Sequence, residues 1–418
     1  MPETRYGRPA ARSRVLAFVL VALGASHARA GDVSVELDAI AGAGATDNAR
    51  FRPPPEKRPD AILIGTAAGR LRYRGPLWNH SLGYRITGTY YVLGRGPSGH
   101  NQNLAWQSVG FLSPKWTLSL GAAGTYAQMT VFDAVDVNAV MPSLAPIGET
   151  TYTSGSVNQS LAYEPNPRRK FAEAFGLART HILSSPPDYV LPDSTLMTLN
   201  LRGEQQLAID QFNADITGSY LNSKYYGKSQ DREWILLQAL VGWRRDFNLQ
   251  WSAEGRVGAV GVFLLDGIRG LIAPAFQFSA VYKRERWFAN ALIAQTATPN
   301  IFGGQATITD MALVRAALPL TRSERYYFMG WASYMYGRAA TQAGSTHVFD
   351  NRTIGANLTA RNEKYPYWAS LEYMFTDQAF VGGGPGSEVG VRRNVIMLNV
   401  GGTFIFGKGQ PSPFRGAL

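Results

Sequence analysis

From Asp32 onward the chain alternates apolar and polar residues in segments of about ten to fifteen residues, each bounded by turn residues. Along Asp32 to Ala41, Val33, Val35, Leu37, Ala39 and Ala41 fall on one face. A period of two marks a strand with one apolar and one polar side. The pattern predicts this strand and others at 61–74, 77–93, 103–112, 115–132, 152–164, 168–183, 194–205 and 208–223. It continues at 232–246, 249–265, 271–284, 286–298, 305–320, 325–339, 347–362, 365–377 and 393–406. That makes about eighteen strands, with about sixteen as the alternative count once boundary drift is considered.

The joints alternate in length. Gly75-Pro76, Ser113-Pro114, Pro165-Asn166-Pro167, Asp246-Phe247-Asn248, Glu285, Thr321–Glu324 and Glu363-Lys364 make short turns at every second joint. The connections 133–151, 184–193, 224–231, 340–346 and 378–392 fall at the others and are longer. An even strand count then places both ends of the chain on one side. Facing is legible in the best strands. Phe212, Ala214, Ile216, Gly218 and Tyr220 share one face, and Asn213, Asp215, Thr217 and Ser219 share the other. Aromatics gather near the predicted ends: Trp78, Tyr90, Tyr91, Trp116, Tyr225, Tyr226, Trp234, Trp287, Tyr326, Tyr327, Tyr336, Tyr365, Tyr367 and Trp368. That is where interfacial girdles belong.

No apolar run is long enough for a membrane helix, which needs roughly 20 residues. A closed barrel is the β-structure that leaves no backbone N–H or C=O unpaired in lipid. The expectation is an all-β fold: a single transmembrane antiparallel β-barrel over 31–406, with short periplasmic turns and long extracellular loops. Composition agrees, with charged residues at 17% and 44 glycines in 418 residues; soluble domains carry ~25% charge.

Arg5, Arg8, Arg12 and Arg14 precede the apolar stretch Val15 to Ala25, and Ala28-Arg29-Ala30 follows. This is the layout of a cleaved signal peptide at 1–30, which directs the chain to the outer membrane of a Gram-negative cell. The absence of cysteine excludes a lipoprotein anchor, disulfides and thiolate metal sites. Residues 1–30 hold five Arg and one Glu, so cleavage takes the net charge from +11 to +7. In such a barrel that balance points to lipopolysaccharide phosphates or anionic solutes, not to nucleic acid. A short polar tail, 407–418, follows the last strand.

Candidate chemistry lies on the inward face. Arg70, Arg72, Arg85, Arg179, Arg202, Arg244, Arg256, Lys283 and Arg315 are the basic pore-lining candidates, and Glu204, Asp215, Glu254 and Glu372 the acidic ones. Charge rings of this kind filter ions, and they also brace a barrel wall. Catalysis is not expected. His80 and Ser81 are adjacent, hence on opposite faces, and His347 with Asp350 or His181 with Asp188 are sequence neighbours only. No nucleophile elbow, phosphate loop or metal-ligand spacing occurs, and no cofactor or metal is expected. Barrels of about 16–18 strands leave a water-filled channel. The apolar residues Val137, Val140, Met141, Leu144 and Ile147 make 133–151 the segment to constrict or cover it.

Taken together, the chain resembles the large outer-membrane porin-like barrels that lack a plug. Ala43-Gly44-Ala45-Thr46-Asp47-Asn48, after a short first strand and before a proline-bearing loop, is similar to a subset associated with exopolysaccharide systems. That subset includes the eighteen-stranded polysaccharide-secretion porins of myxobacteria. The resemblance implies export of a secreted polysaccharide through a basic lumen, with a periplasmic polysaccharide-export protein as partner. It also implies aromatics, Tyr327 and Trp331 among them, that stack on sugars. The alternatives are a diffusion porin for small or anionic solutes and a structural or adhesive barrel with a blocked lumen.

Overall fold

The computed structural model describes residues 31–407 apart from 50–54, 97, 130–149, 185–190, 226–230, 266–268, 285, 301–304, 322, 324, 340–346, 363–364 and 382–387. The first strands are β1 (Asp32–Thr46), β2 (Asp60–Arg74), β3 (Trp78–Tyr91), β4 (Gly99–Ser113), β5 (Trp116–Met129) and β6 (Thr150–Asn166). Next come β7 (Arg169–Ser184), β8 (Asp193–Gln206), β9 (Asp210–Lys224), β10 (Arg232–Asp246), β11 (Trp251–Leu264) and β12 (Arg269–Arg284). The set is completed by β13 (Trp287–Asn300), β14 (Gln305–Pro319), β15 (Tyr326–Ala339), β16 (His347–Arg361), β17 (Tyr367–Val381) and β18 (Glu388–Gly407). Every strand pairs antiparallel with its sequence neighbours, and β1 pairs with β18 from Ser34↔Gly407 to Thr46↔Val395. The ring is closed, although β12 and β13 pair only over Phe276–Arg284 and Trp287–Gln295, so the seam between them is open toward the long loops. The eighteen strands expected from alternation are all present, and the short joints collect at the end that holds the start of β1 and the finish of β18. The expected leader, the 133–149 part of the long loop and the tail from 408 lie outside the described residues.

Several strands run further than the pattern predicts, β4, which spans Gly99–Ser113, among them. β1 continues through Gly42 and Gly44 to Thr46, and β18 begins at Glu388. A Cβ on Gly42 would strike the Asn399 side chain, and one on Gly44 would strike the Met397 sulfur and the Ile396 carbonyl. Glycine here lets the inward side chains of β18 lie across β1. A propensity reading takes the same residues for a strand end.

The outer face is apolar. On β10, Val241 is 61% exposed while Leu240 next to it is 9% exposed. Leu63, Leu199, Ile216, Val257, Ile293, Val314, Ile354 and Leu398 extend this exposed apolar belt around the ring. In water such a surface would be unstable, and in lipid it needs no partner. Aromatics border the belt at the short-turn end. Tyr73, Trp78 and Trp106 stack around His80 at centroid distances of 6.0, 6.0 and 6.5 Å, and Trp116 lies 4.5 Å from Tyr163. Four residues expected in the girdles point inward. Tyr91 and Trp234 are 1% and 2% exposed and occupy the inward positions beside outward Tyr90 and Leu237, and Tyr327 and Trp368 face inward beside outward Tyr326 and Tyr367.

Candidate functional site

The inward side of the short-turn half carries charge, arranged differently on two walls. On the first wall, Arg70 and Arg72 alternate with outward Leu71 along β2, and Glu36 of β1 sits directly across from Arg70. Arg72 Nη2 reaches Glu36 Oε2 at 2.8 Å, and Arg70 Nη1 lies 3.8 Å from the same oxygen. The Glu36 side chain is tucked in at 14% exposure, whereas Arg70 is 47% exposed. Arg85 on β3 pairs with Ala68 one step above Arg70 and is exposed. Cross-strand neighbours on one face stand about 5–8 Å apart. The three guanidiniums therefore climb one wall. Among the described residues Glu36 is the carboxylate within ion-pair distance of them, while Asp38, on the same inward face at the level of Arg85, accepts from Thr403 Oγ1 at 2.6 Å.

The second wall is a compensated ladder on β8–β11. Arg202 Nε contacts Glu204 Oε1 at 2.5 Å and Asp215 Oδ1 at 3.6 Å. Arg256 contacts Asp215 Oδ2 at 3.2 Å and Glu254 Oε1 at 2.5 Å. Gln211 donates to Glu204 at 2.9 Å, and Asn213 donates to Glu254 at 3.3 Å. Asp215, 8% exposed, thus bridges two guanidiniums. Nearly buried charges persist when they are paired, and each carboxylate of this wall meets a guanidinium together with an amide or a second guanidinium. Its arginines are engaged with carboxylates. In an eighteen-strand ring, β2–β3 and β10–β11 stand almost opposite one another.

The remaining predicted residues are scattered. Arg244 pairs with Asp246 at 3.2 Å near the turn that follows β10. Lys283 is exposed at the short-turn end of β12, on the face opposite outward Phe278. The Arg315 guanidinium lies 5.1 Å from the Phe288 ring centre. Glu372 is half-buried on the inward face of β17, opposite Asn357 and Met397. Arg179 departs from the expectation. It shares its face with Phe175 and Leu177, whose partners Leu199 and Met197 are exposed, so it points outward. Near the long-loop end of β7 an outward arginine can reach headgroups, so its charge did not reveal its facing. His181 lies on the same outer side and meets the Asp193 carboxylate at 2.6 Å; Asp188, the partner its sequence position offered, lies outside the described residues. Among the described residues no group of three potential metal ligands converges.

The long-loop half of the interior holds two apolar clusters, which the alternation did not foretell. Leu221, Trp234, Leu236, Val260, Val262 and Ala297 form one buried cluster. Gln238 of β10 accepts a hydrogen bond from Thr296 of β13 at 3.1 Å, so the wall between these strands bends inward. A second cluster, with Ile62, Tyr91, Met374, Val395 and Met397, lies beside the seam. Arg393 is 1% exposed within it and donates to Thr46 Oγ1 and the Tyr91 hydroxyl, both at 3.1 Å. Glu36 and Arg393 were missing from the predicted set; their parity with outward Leu37 and Ile396 was the available signal. Trp331, expected to offer its ring to sugars, is 6% exposed and lies flat over Gly355, where a Cβ would collide with it.

No family model matches the chain, and no curated protein matches it in sequence. Solved structures match in form. OccAB3 of Acinetobacter baumannii is 11% identical with a TM-score of 0.47, covering 90% of this chain and 99% of that one. OpdO of Pseudomonas aeruginosa is 10% identical with a TM-score of 0.47, covering 90% and 97%. The FrpB iron transporter from Neisseria meningitidis is 8% identical with a TM-score of 0.46, covering 89% and 82%. These are likenesses of a large barrel; the side chains that line the interior are this chain's own.

Proposed function

We propose that the chain is an outer-membrane channel that passes small anionic or polar solutes along the basic wall of β2–β3. The observation that carries this reading is the inward row of Arg70, Arg72 and Arg85, in which Arg70 and Arg72 share Glu36 and Arg85 stands exposed. On the nearly opposite wall the arginines are engaged with carboxylates, whereas Arg85 and the exposed flank of Arg70 stay open to a passing anion. The apolar belt and aromatic girdles support a lipid setting, and the closed ring supports an outer-membrane one.

Polysaccharide export, implied by the resemblance, has less behind it. A sugar-stacking ring must be accessible, and Trp331 is covered. The interior near the long loops is packed with Trp234 and its neighbours, which suits small cargo better than a polymer.

The test is ion selectivity in planar bilayers under a salt gradient. Wild-type protein should show a reversal potential of anion-preferring sign. Arg70→Gln with Arg72→Gln and Arg85→Gln should move it toward zero or past it, whereas Arg202→Gln should shift it less. An unchanged reversal potential in the triple variant would remove these side chains from the path.

A further inference from the structure

We propose that the outer face of β16–β18, at its long-loop end, binds the phosphate of an outer-leaflet glycolipid. The proposal rests on the outer-membrane reading above and concerns the opposite side of the wall from the solute path.

A cleft of about 410 Å³ opens there, lined by Asp350, Arg352, Asp377, Ala379, Gly390 and Arg392. Arg352, Asp377 and Arg392 form one row by register across three strands. Asp350, Ala379 and Gly390 form the next row toward the loops. The recess exists because that second row is small. A Cβ on Gly390 would meet nothing within 4 Å. All these positions share the face of Ile354, Leu371 and Ile396, each more than half or about half exposed, so the cleft opens toward lipid and not inward.

A charge on that face is costly near the middle of the membrane and tolerated at headgroup height. Arg352 and Arg392 occur immediately beyond the apolar belt, with Ile354 and Ile396 beneath them and the Tyr334 ring 5.7 Å from the Arg352 guanidinium. Each arginine is steadied along one edge only. Arg352 Nη2 meets Asp350 Oδ2 at 3.1 Å, and Arg392 Nε meets Asp377 Oδ2 at 3.4 Å. Their side chains remain 60% and 66% exposed, so the other guanidinium N–H groups face the cleft. Adjacent strands are about 4.8 Å apart, which sets the two arginines roughly 10 Å apart at the backbone, within reach of a common anion. The Asp350 and Asp377 carboxylates beside them are partly open, at 20% and 24% exposure, and can accept from sugar hydroxyls. Two guanidiniums for phosphate, acceptors for hydroxyl and an apolar strip below for acyl chains match one molecule: a phosphorylated, acylated sugar.

The experiment is native mass spectrometry of the mature protein in detergent, titrated with bisphosphorylated lipid A, with its dephosphorylated form and with inorganic phosphate. Wild-type protein should retain the phosphorylated lipid. Arg352→Gln with Arg392→Gln should weaken retention at least about tenfold, and the double lysine variant should recover part of it, since charge remains without the planar fork. Heat-shifted gel mobility confirms that each variant folds, and reversal potentials should not change, because the cleft faces away from the interior. Equal retention by wild type and the glutamine variant would overturn the proposal. So would equal binding of the dephosphorylated lipid, or of inorganic phosphate at the same affinity. Loss of a dimer in the glutamine variant, with no lipid held by wild type, would assign the face to a second copy and overturn it too. A protein that conducts nothing yet discriminates the two lipids would sink the channel reading and leave this site standing.

Discussion

Replacing Asp47 by Asn tests whether the Thr46-Asp47-Asn48 triplet closes the barrel seam. The Asp47 carboxylate accepts from the Asn394 backbone N–H at 2.7 Å and from Asn394 Nδ2 at 2.9 Å, and Lys57 Nζ lies at 3.4 Å. On either side of it, Thr46 Oγ1 accepts from Arg393, and Asn48 Nδ2 donates to the Arg392 carbonyl at 3.0 Å. Apart from the Lys57 pair, these contacts join the end of β1 and the two residues after it to β18, the first strand to the last. A hydrogen bond to a charged acceptor contributes about 1.5–3 kcal/mol and a neutral one about 0.5–1.5 kcal/mol. The asparagine oxygen keeps one bond at the weaker value, and its NH₂ faces the other donor. Asp47 is 38% exposed, so water competes, and the exposed Lys57 pair adds at most about 1 kcal/mol. The expected cost is about 2 kcal/mol.

Equilibrium urea unfolding in lipid, followed by tryptophan fluorescence, measures it. The pH dependence supplies a second check. Burial pushes the Asp47 carboxyl up, but the Asn394 amides and Lys57 outweigh it, so it titrates below its ordinary 3.8. A depressed carboxyl contributes stability that is full above its unfolded pKa and lost as pH falls through the folded one. The gap between wild type and Asp47→Asn should therefore be complete at neutral pH, shrink below about pH 4 and vanish in stronger acid. Identical midpoints at neutral pH, or a gap that persists undiminished in strong acid, would refute the reasoning.

Two further changes probe the two faces of the wall. Trp234→Ala empties the centre of the interior cluster and should destabilise by about 3–5 kcal/mol while raising single-channel conductance; a stable variant with unaltered conductance would mean that this cluster does not narrow the path. Ile354→Arg places a charge in the outer belt and should cost about 2–4 kcal/mol of unfolding free energy, whereas Asn357→Arg on the inward face of the same strand should cost much less.

Much of this molecule is legible from its alternation. Phe212 and Ile216 are exposed while Asn213 and Asp215 are buried, as the period of two requires. Arg70 and Arg72 followed from the same parity. Arg179 did not, because at the long-loop end an arginine is stable facing either way, and charge stops being a guide to facing. Tyr91 and Trp234 failed for a related reason. An aromatic at a strand end belongs to a girdle if it points outward and to a packed interior if it points inward, and position along the strand does not separate the two.

The sequence by itself determined a closed antiparallel ring of sixteen to eighteen strands, because alternation, joint lengths and the absence of an apolar helix are local properties that point to a barrel in lipid. Tertiary structure decided which charges are free. Glu36 meets Arg72, and Asp215 meets Arg202 and Arg256, through pairings of residues on different strands. The inward bend that brings Gln238 to Thr296, and the clasp of Asp47 on Asn394 across 347 residues, likewise depend on closure. Register and wall curvature arise only when distant strands meet, so no single segment encodes them.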